Sequence, residues 1–191
     1  MARWVVRAWA VALAIVAGSA LASVSIAVTW DGLLRESTAA VVVTPVEARA
    51  VWEGGRIYTY TRVRVDRAVA GELATGTDAW VRTMGGVVGK TGQLVEGEAV
   101  LVPGQQSLLF LHPAPVAAFD VTARGQGQFP LVSDGKSLPH LVRSTSAGGL
   151  LAPRGRATGP AAPLAADVVH GRPVDDVARD VAAAWSRAHA P

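Results

Sequence analysis

The sequence contains no cysteine, and this absence removes several chemistries at once. Without thiols there are no disulfide bonds, no thiolate metal sites and no cysteine nucleophile. A metal site would have to use imidazoles and carboxylates. The histidines stand singly, without a second ligand at the spacing that one helix or strand would bring together; they are His112, His140, His170 and His189. We therefore predict neither a metal nor a cofactor.

Charged residues are also scarce, at 17% of the chain, and the positive excess is only +3. Arg3 and Arg7 stand in the first 22 residues, so the remaining chain holds 16 Lys and Arg against 15 Asp and Glu. The arginines alternate with acids, as in Arg62–Arg67, and form no basic patch. A weak and dispersed positive charge displaces few counterions from phosphates. We therefore expect no nucleic-acid partner.

The start of the chain has the pattern of an export signal. Arg3 and Arg7 give it a positive beginning, an uninterrupted apolar stretch follows, and Ala20-Leu21-Ala22 matches the A-x-A site of signal peptidase. This pattern predicts a signal peptide over residues 1–22 and a mature chain that begins at Ser23.

An uncleaved membrane anchor over roughly residues 8–30 is the alternative, because no charged residue stands between Arg7 and Asp31. Against it, the second half of this stretch is rich in Ser, Ala and Val and weakly apolar for a membrane span. Both alternatives place the rest of the chain outside the cytoplasm, whether periplasmic, in the cell envelope or secreted.

Two patterns after the signal predict β-strands. Ala39–Val43 is a continuous apolar run of alanine and valine, which is typical of a buried strand. Ile57–Val65 alternates strictly, with tyrosines and arginines on one face, so we predict a half-exposed strand. Further short strands are expected between turn signals, at Ala79–Thr83, Glu98–Val102, Leu108–His112, Ala118–Ala123 and Phe129–Val132.

Several short strands at close spacing indicate a mainly β fold. We predict a small OB-like antiparallel barrel over residues 29–138, opened by a short helix at Thr29–Ser37; an immunoglobulin-like β-sandwich is the alternative. After Pro139 the composition becomes rich in Gly, Ala and Pro, which predicts a linker over residues 139–172. Residues 173–189 have the apolar period of an amphipathic helix, and we expect its apolar face to pack against the barrel.

One short string is similar to a nucleotide-binding motif. Gly89-Lys90-Thr91 ends like a P-loop, which requires four residues between its first glycine and the Gly-Lys pair. Met84 occupies that glycine position, and Gly85 is one residue too close. A P-loop also needs a helix next, and Gln93–Glu98 has no amphipathic helical pattern. We predict a glycine turn between strands here and no nucleotide binding.

The remaining candidates are two acids and four aromatic residues. Glu96 and Glu98 stand two apart and would share a strand face, as a pair of catalytic carboxylates could. Nothing else in the sequence converges on them, so we expect a solvated strand face. The candidate partner surface consists of aromatic residues, namely Trp52, Tyr58, Tyr60 and Trp80. Packing between neighbouring strands explains the same residues equally well.

The order of these features carries a resemblance. The strand Ala39–Val43, a long alternating strand ending near Gly71, a glycine loop at Gly85-Gly86 and a strand within Gly104–Leu111 follow one another. Residues 38–132 resemble exported bacterial proteins of uncharacterised function and, more distantly, the OB-type barrel of the tissue inhibitors of metalloproteinases. The resemblance implies a closed or nearly closed β-barrel. It does not imply protease inhibition, because those inhibitors chelate zinc through an N-terminal cysteine that this chain lacks.

These observations lead us to expect an exported, non-enzymatic binding module with a protein partner. A membrane-anchored structural protein of the envelope is the second hypothesis, and an uncleaved N-terminus would favour it. The third is an enzyme whose site is assembled from residues far apart in the sequence, and a deep polar pocket would favour it.

Overall fold

The computed structural model describes residues 24–133, 135, 138–151 and 162–190. The predicted signal peptide, residues 1–22, lies outside these residues. The strands, in chain order, are β1 (Val24–Ile26), β2 (Ala39–Glu53), β3 (Arg56–Gly71), β4 (Asp78–Met84), β5 (Gly86–Val88), β6 (Thr91–Gln93), β7 (Ser107–Pro113), β8 (Phe119–Val121), β9 (Gln128–Val132), β10 (His140–Leu141) and β11 (Gly149–Leu151). The α-helices are α1 (Trp30–Glu36), α2 (Ala165–Val169) and α3 (Val174–Ala188).

Five strands form a closed ring in the order β7-β2-β3-β4-β8, and β8 pairs back to β7. Numbered along the chain, neighbours in this ring are the first, second, third, fifth and fourth strands, which is the arrangement of OB-type barrels. The prediction of a mainly β, OB-like barrel with a C-terminal helix is confirmed.

One pair in the ring departs from the antiparallel arrangement that the sequence predicts. β4 and β8 run parallel, with Arg82 opposite Asp120, whereas the other pairs of the ring are antiparallel. The reason is parity: in a ring with an odd number of strands, directions cannot alternate all the way round. The parallel pair is therefore the seam at which this barrel closes.

The run Ala39–Val43 is buried on both faces, as its continuous apolar composition requires. Ala39, Val41 and Val43 point into the barrel, where they pack with apolar residues of the other ring strands. Ala40 and Val42 point outward into a second apolar cluster beneath the helices. One strand thus serves two cores, and this explains the loss of alternation in its sequence.

The helices cover the outer faces of β2 and β7. Helix α1 begins at the predicted place because the Thr29 hydroxyl accepts a hydrogen bond from the Gly32 backbone N–H at 3.1 Å, and it buries Leu33 and Leu34. Helix α3 buries Val177, Ala178 and Val181 on the face that the sequence predicts. Between helices and sheet, aromatic rings meet edge to face, in the order Trp30, Phe110 and Phe129.

The predicted strand Glu98–Val102 is not a strand, and this prediction was wrong. The segment lies with Ala99 and Leu101 buried in the barrel core, while Val100 is exposed, so its alternation reflects burial without strand pairing. The side-chain amide of Gln128 takes the place of a neighbouring strand. Its Oε1 accepts from the Val100 backbone N–H at 3.0 Å, and its Nε2 donates to the Val100 carbonyl at 2.6 Å.

Much of the predicted linker, residues 139–172, has regular structure, and for these parts the prediction was wrong. Strand β10 extends the sheet beyond β9, and β11 pairs in parallel with β1. Helix α2 buries Ala165 and Val169 in the cluster under the helices. Small residues let these segments pack closely, so a Gly- and Ala-rich composition did not mean an unstructured linker here. Residues 152–161 lie outside the described residues.

Candidate binding face and polar cleft

Side chains of β2, β3 and β4 build one outer face of the barrel, away from the helices. Alternation puts Ile57, Thr61 and Val63 inside, so their neighbours on β3 point outward. The strand register then arranges the outward residues in rows across three strands. We call this surface the arginine–aromatic face, and its rows are Glu47–Arg62–Trp80, Arg49–Tyr60–Arg82 and Val51–Tyr58–Met84.

The structure brings together three of the four predicted surface residues. Tyr58, Tyr60 and Trp80 share the arginine–aromatic face and are each partly buried. Trp52 is 53% exposed, but it pairs with Ile57 and so belongs to the opposite side of the β2–β3 hairpin. The face therefore lacks one aromatic residue that sequence reasoning assigned to it.

Arginines complete this face, and sequence reasoning missed their role. The guanidinium carbon of Arg49 lies 5.2 Å from the Trp80 ring centroid, and that of Arg82 lies 4.6 Å from the Tyr58 centroid. Both distances are those of cation–π contacts. The signal that could have revealed them is the alternation itself, because arginines occupy the same outward positions as the tyrosines.

Carboxylates hold Arg82 in place. Arg82 binds Asp120 through two hydrogen bonds, at 3.0 and 2.9 Å, and reaches Glu53 at 3.0 Å. Only 10% of the Arg82 side chain is exposed, so these hydrogen bonds are largely shielded from water. Hydrogen bonds to Asp120 are the largest cause that raises the pKa of Arg82, which stays charged. The pair also joins β4 to β8 at the seam of the barrel.

Tyr60 and Arg62 extend the same network along the face. The Tyr60 hydroxyl donates to Glu53 Oε2 at 2.6 Å. Burial first, and then this hydrogen bond, raise the pKa of Tyr60, so the phenol keeps its proton and remains a donor. Arg62 bridges Glu47 at 2.8 Å and Asp78 at 2.7 Å. The side chains of Tyr60, Arg62 and Arg82 are therefore held in place by bonds within the protein.

A polar cleft of about 240 Å³ opens beside this face, next to the seam. Its wall combines residues from four strands and two loops, namely Tyr58, Arg82, Met84, Glu98, His112, Asp120, Val121, Ala123 and Arg124. His112 is held by a hydrogen-bonded chain: its Nδ1 lies 3.3 Å from the Thr122 hydroxyl oxygen, and that oxygen accepts a hydrogen bond from the Ser37 hydroxyl at 2.9 Å.

Glu98 is a largely buried carboxylate in the wall of the cleft. Its side chain is only 12% exposed, and Arg124 Nε lies 3.9 Å from its Oε2. Its Oε1 accepts from the Ala99 backbone N–H at 3.3 Å. Burial raises the pKa of Glu98, and the backbone hydrogen bond from Ala99, the charge of Arg124 and a backbone hydrogen bond from Met84 only partly oppose that rise. The prediction that Glu96 and Glu98 form a solvated strand face is wrong for Glu98, although Glu96 is exposed.

The backbone is strained at the rim of this cleft. Ala123 and Arg124 adopt left-handed conformations, with φ of 54° and 57°, which are unfavourable for residues with a Cβ. The turn continues into two tightly packed glycines. A Cβ on Gly127 would lie 2.1 Å from the Thr122 carbonyl oxygen, and one on Gly125 would lie 3.0 Å from Ser146 Oγ. Strain of this kind is concentrated at functional sites, so it draws attention to the cleft.

The string that is similar to a P-loop forms a small hairpin. Gly86–Val88 pairs with Thr91–Gln93, and Gly89-Lys90 makes the turn, with Gly89 at φ 61°. The described residues that follow, 94–106, contain no helix that could direct backbone N–H groups at a phosphate. Gly89 serves the turn, as the sequence predicts, whereas Gly86 lies in β5, where a Cβ would be 2.4 Å from the Thr59 hydroxyl oxygen.

Comparison with known protein families, with curated proteins and with solved structures finds no significant match. The resemblance to exported bacterial proteins and to the inhibitors of metalloproteinases therefore stays a prediction. Within residues 24–133, 135, 138–151 and 162–190, histidines and acids do not gather in groups that could hold a metal ion. In the same part of the chain, no helix has the length and apolar character needed to cross a membrane.

Proposed function

We propose that this protein is an exported, non-enzymatic binding module, and that a protein partner docks on the arginine–aromatic face. The observation that carries the proposal is the joint placement of Tyr58, Tyr60 and Trp80 on one ordered face with Arg49, Arg62 and Arg82. Tyrosine, tryptophan and arginine are the residue types that dominate the binding energy of protein interfaces.

The order of the face supports this proposal. Binding costs conformational entropy when long side chains must be fixed, and less when they are already held. Arg62 and Arg82 each contact two carboxylates, and the Tyr60 hydroxyl is bonded to Glu53. A partner therefore meets a surface that needs little rearrangement.

The position of the face in the barrel also supports the proposal. β3 and β4 are the second and third strands of the ring, and OB-type barrels bind their ligands on the face of those strands. Many OB ligands are oligonucleotides, but the charge here argues against them. The arginines stand beside Glu47, Glu53, Asp78 and Asp120, so the face has no positive excess to attract phosphates.

Cross-linking in the producing cell tests the proposal. A photoreactive phenylalanine replaces Trp80 on the face or, as control, the exposed Ser186 of α3 on the helix side. We expect a discrete protein adduct from position 80, its loss when Tyr58→Ala is added, and no such adduct from position 186. Absence of an adduct at position 80, or the same adduct at both positions, would contradict the proposal.

Export is part of the same proposal and has its own test. The basic start, the apolar stretch and the A-x-A site support cleavage before Ser23. Mass spectrometry of protein recovered outside the cytoplasm should give Ser23 as the first residue. Intact residues 1–22 on membrane-bound protein would favour the anchored alternative, and full-length soluble protein in the cytoplasm would contradict export altogether.

A further inference from the structure

The outer half of β2 is an open edge of the sheet. Strand β7 pairs with β2 only along Ala39–Val43, and next to this pairing the Pro45 carbonyl accepts a hydrogen bond from the Gly104 backbone N–H at 2.9 Å. Beyond Pro45, β2 continues to Glu53 with β3 on one side, and no described strand pairs with its other side. Residues 46–49 are exposed there. A sheet edge of this kind presents unpaired backbone groups to solvent.

The contacts of Ile57 on β3 show which groups of β2 point outward. The Ile57 backbone N–H donates to Gln93 Oε1 at 2.9 Å, and its carbonyl accepts from the Gly85 N–H at 2.8 Å. Both bonds lie on the β4 side of β3, because Gly85 directly follows β4. Trp52 stands opposite Ile57, so its backbone groups point away from β3 in turn. These directions alternate along a strand, and the register runs without a shift from Glu47 to the hairpin turn. The outward residues of this edge are therefore Ala48, Ala50 and Trp52.

Little protects this segment, Ala48–Trp52, which we call the β2 edge, from pairing with another strand. Natural sheets close their edges with prolines, bulges, lysines or inward-pointing charges. Here Pro45 and the bulge at Val46 come before the outward residues begin. The outward residues have apolar side chains, and Trp52 is 53% exposed. Trp52 is also the predicted surface residue that does not belong to the arginine–aromatic face, so the β2 edge gives it a different surface.

A second copy of this chain fits the β2 edge. An antiparallel copy related by a two-fold axis through Ala50 brings Ala50 opposite its own counterpart and Ala48 opposite Trp52. Every outward residue then meets another outward residue, so each pair exchanges both of its hydrogen bonds. The Trp52 ring lies beside the methyl group of Ala48, where a small side chain leaves room for it. An axis through Ala48 would instead bring the bulged Val46 opposite Ala50 and interrupt the pairing.

The charges near the β2 edge accommodate the same arrangement. The ion pairs of the described residues do not include Arg49, whose guanidinium carbon lies 5.2 Å from the Trp80 ring centroid. About the axis through Ala50, Arg49 stands diagonal to Glu53 of the second copy, a spacing that a long side chain spans. Glu47 comes directly opposite Glu53, but each of these carboxylates is already bonded to an arginine of its own copy. Each copy therefore places an arginine without an ion-pair partner beside a carboxylate of the other.

We propose that the protein forms a two-fold symmetric dimer in which the β2 edges of two copies pair antiparallel about Ala50. This inference goes beyond the proposed function and does not depend on it. Pairing continues the sheet from β4, β3 and β2 of one copy into β2, β3 and β4 of the other. It uses backbone groups in the plane of the sheet, and a two-fold axis perpendicular to a sheet keeps equivalent faces on the same side. The dimer therefore presents two arginine–aromatic faces side by side.

Sedimentation equilibrium of the purified protein over a range of concentrations tests the dimer. We expect the average mass to rise with concentration towards that of two chains. Trp52→Ala should weaken the dimer at least about tenfold, because tryptophan is among the residues that dominate interface energies. Leu94→Ala is the control: it removes an apolar side chain that is 92% exposed but lies outside the β2 edge, and should leave the dimer unchanged. A monomer at every concentration, as expected if the edge receives a strand of another protein, would overturn the inference. So would equal weakening in both variants.

A single introduced cysteine tests the register, since the chain has none of its own. In Ala50→Cys the two sulfurs meet at the two-fold axis, where Cα atoms of a hydrogen-bonded pair are about 5.5 Å apart and a disulfide can form. In Ala48→Cys the two positions are about 13 Å apart along the strands. We expect an added oxidant to convert Ala50→Cys into a covalent dimer much faster than Ala48→Cys, although Ala48 is the more exposed residue. Equal rates, or faster cross-linking of Ala48→Cys, would overturn the inference. Melting curves under reducing conditions check that each variant is folded.

Discussion

The two outer sides of the barrel use aromatic residues in different ways. On the helix-covered side, Trp30, Phe110 and Phe129 pack ring to ring, shielded from water by α1, α2 and α3. On the open side, Trp80 and Tyr58 lie beneath the guanidinium groups of Arg49 and Arg82, and carboxylates hold that of Arg82 in position. On the covered side, burial of apolar rings fixes the side chains. On the open side, hydrogen bonds between charged groups fix them. The first arrangement stabilises the fold, and the second leaves an ordered surface uncovered, on which we propose that a partner docks.

The largest expected effect lies on the covered side. Phe110→Ala should lower the free energy of unfolding by about 3–5 kcal/mol, because the ring is fully buried and contacts both Trp30 and Phe129. Urea denaturation measures this loss. Tyr58→Ala on the open side serves as the comparison and should cost less, since Tyr58 is only partly buried. Equal losses would mean that the two sides do not differ as described.

A smaller effect is expected from the charged network of the open side. Arg82→Met should destabilise the protein by about 2 kcal/mol, because Asp120 and Glu53 lose a partly buried partner. Arg62→Met is the control: its partners Glu47 and Asp78 are well exposed, so the loss should be clearly smaller than for Arg82→Met. If Arg62→Met costs as much as Arg82→Met, burial at the seam does not strengthen the ion pair.

The smallest expected effect has the opposite sign. Because the folded state raises the pKa of Glu98, its contribution to stability is present below the ordinary value of 4.5 and is lost as the pH rises through the raised value. Glu98→Gln carries no charge and should therefore melt higher than the wild type at neutral pH, with the difference vanishing in acid. Melting temperatures across this range measure it, with Glu96→Gln as control. A Glu98→Gln protein that melts lower at neutral pH would show that the carboxylate is well compensated.

The sequence predicts those elements whose pattern reflects local burial. The run Ala39–Val43 and the alternation of Ile57–Val65 each follow from which faces are covered, and both strands form as predicted. The segment Glu98–Val102 also alternates, but it is not a strand. Ala99 and Leu101 are buried in the barrel core, and the Gln128 side chain hydrogen-bonds to Val100 in the position where a neighbouring strand would pair. A pattern of burial does not distinguish these two arrangements, because the bonding residue is remote in the sequence.

Sequence patterns did not predict the cleft, for a related reason. Glu98, His112, Asp120 and Arg124 stand on separate segments, and the closing of the ring brings them together. The left-handed conformation at Ala123 has no local signal, since alanine does not favour it. Gly125 and Gly127 lie where a Cβ would meet neighbouring atoms at 3.0 and 2.1 Å, and a sequence pattern does not distinguish such close packing from an ordinary turn.

We propose that the open side of the barrel binds a partner, whereas the covered side only supports the fold. Two variants separate these roles when each is combined with the photoreactive residue at position 80. Leu34→Ala, on the buried face of α1, should lower stability by about 2–5 kcal/mol, whereas Tyr60→Ala removes a ring of the face and should destabilise the fold less. We predict that, at a temperature where both are folded, the adduct is lost in Tyr60→Ala and retained in Leu34→Ala. An adduct yield that follows stability, with the greater loss in Leu34→Ala, would contradict the account.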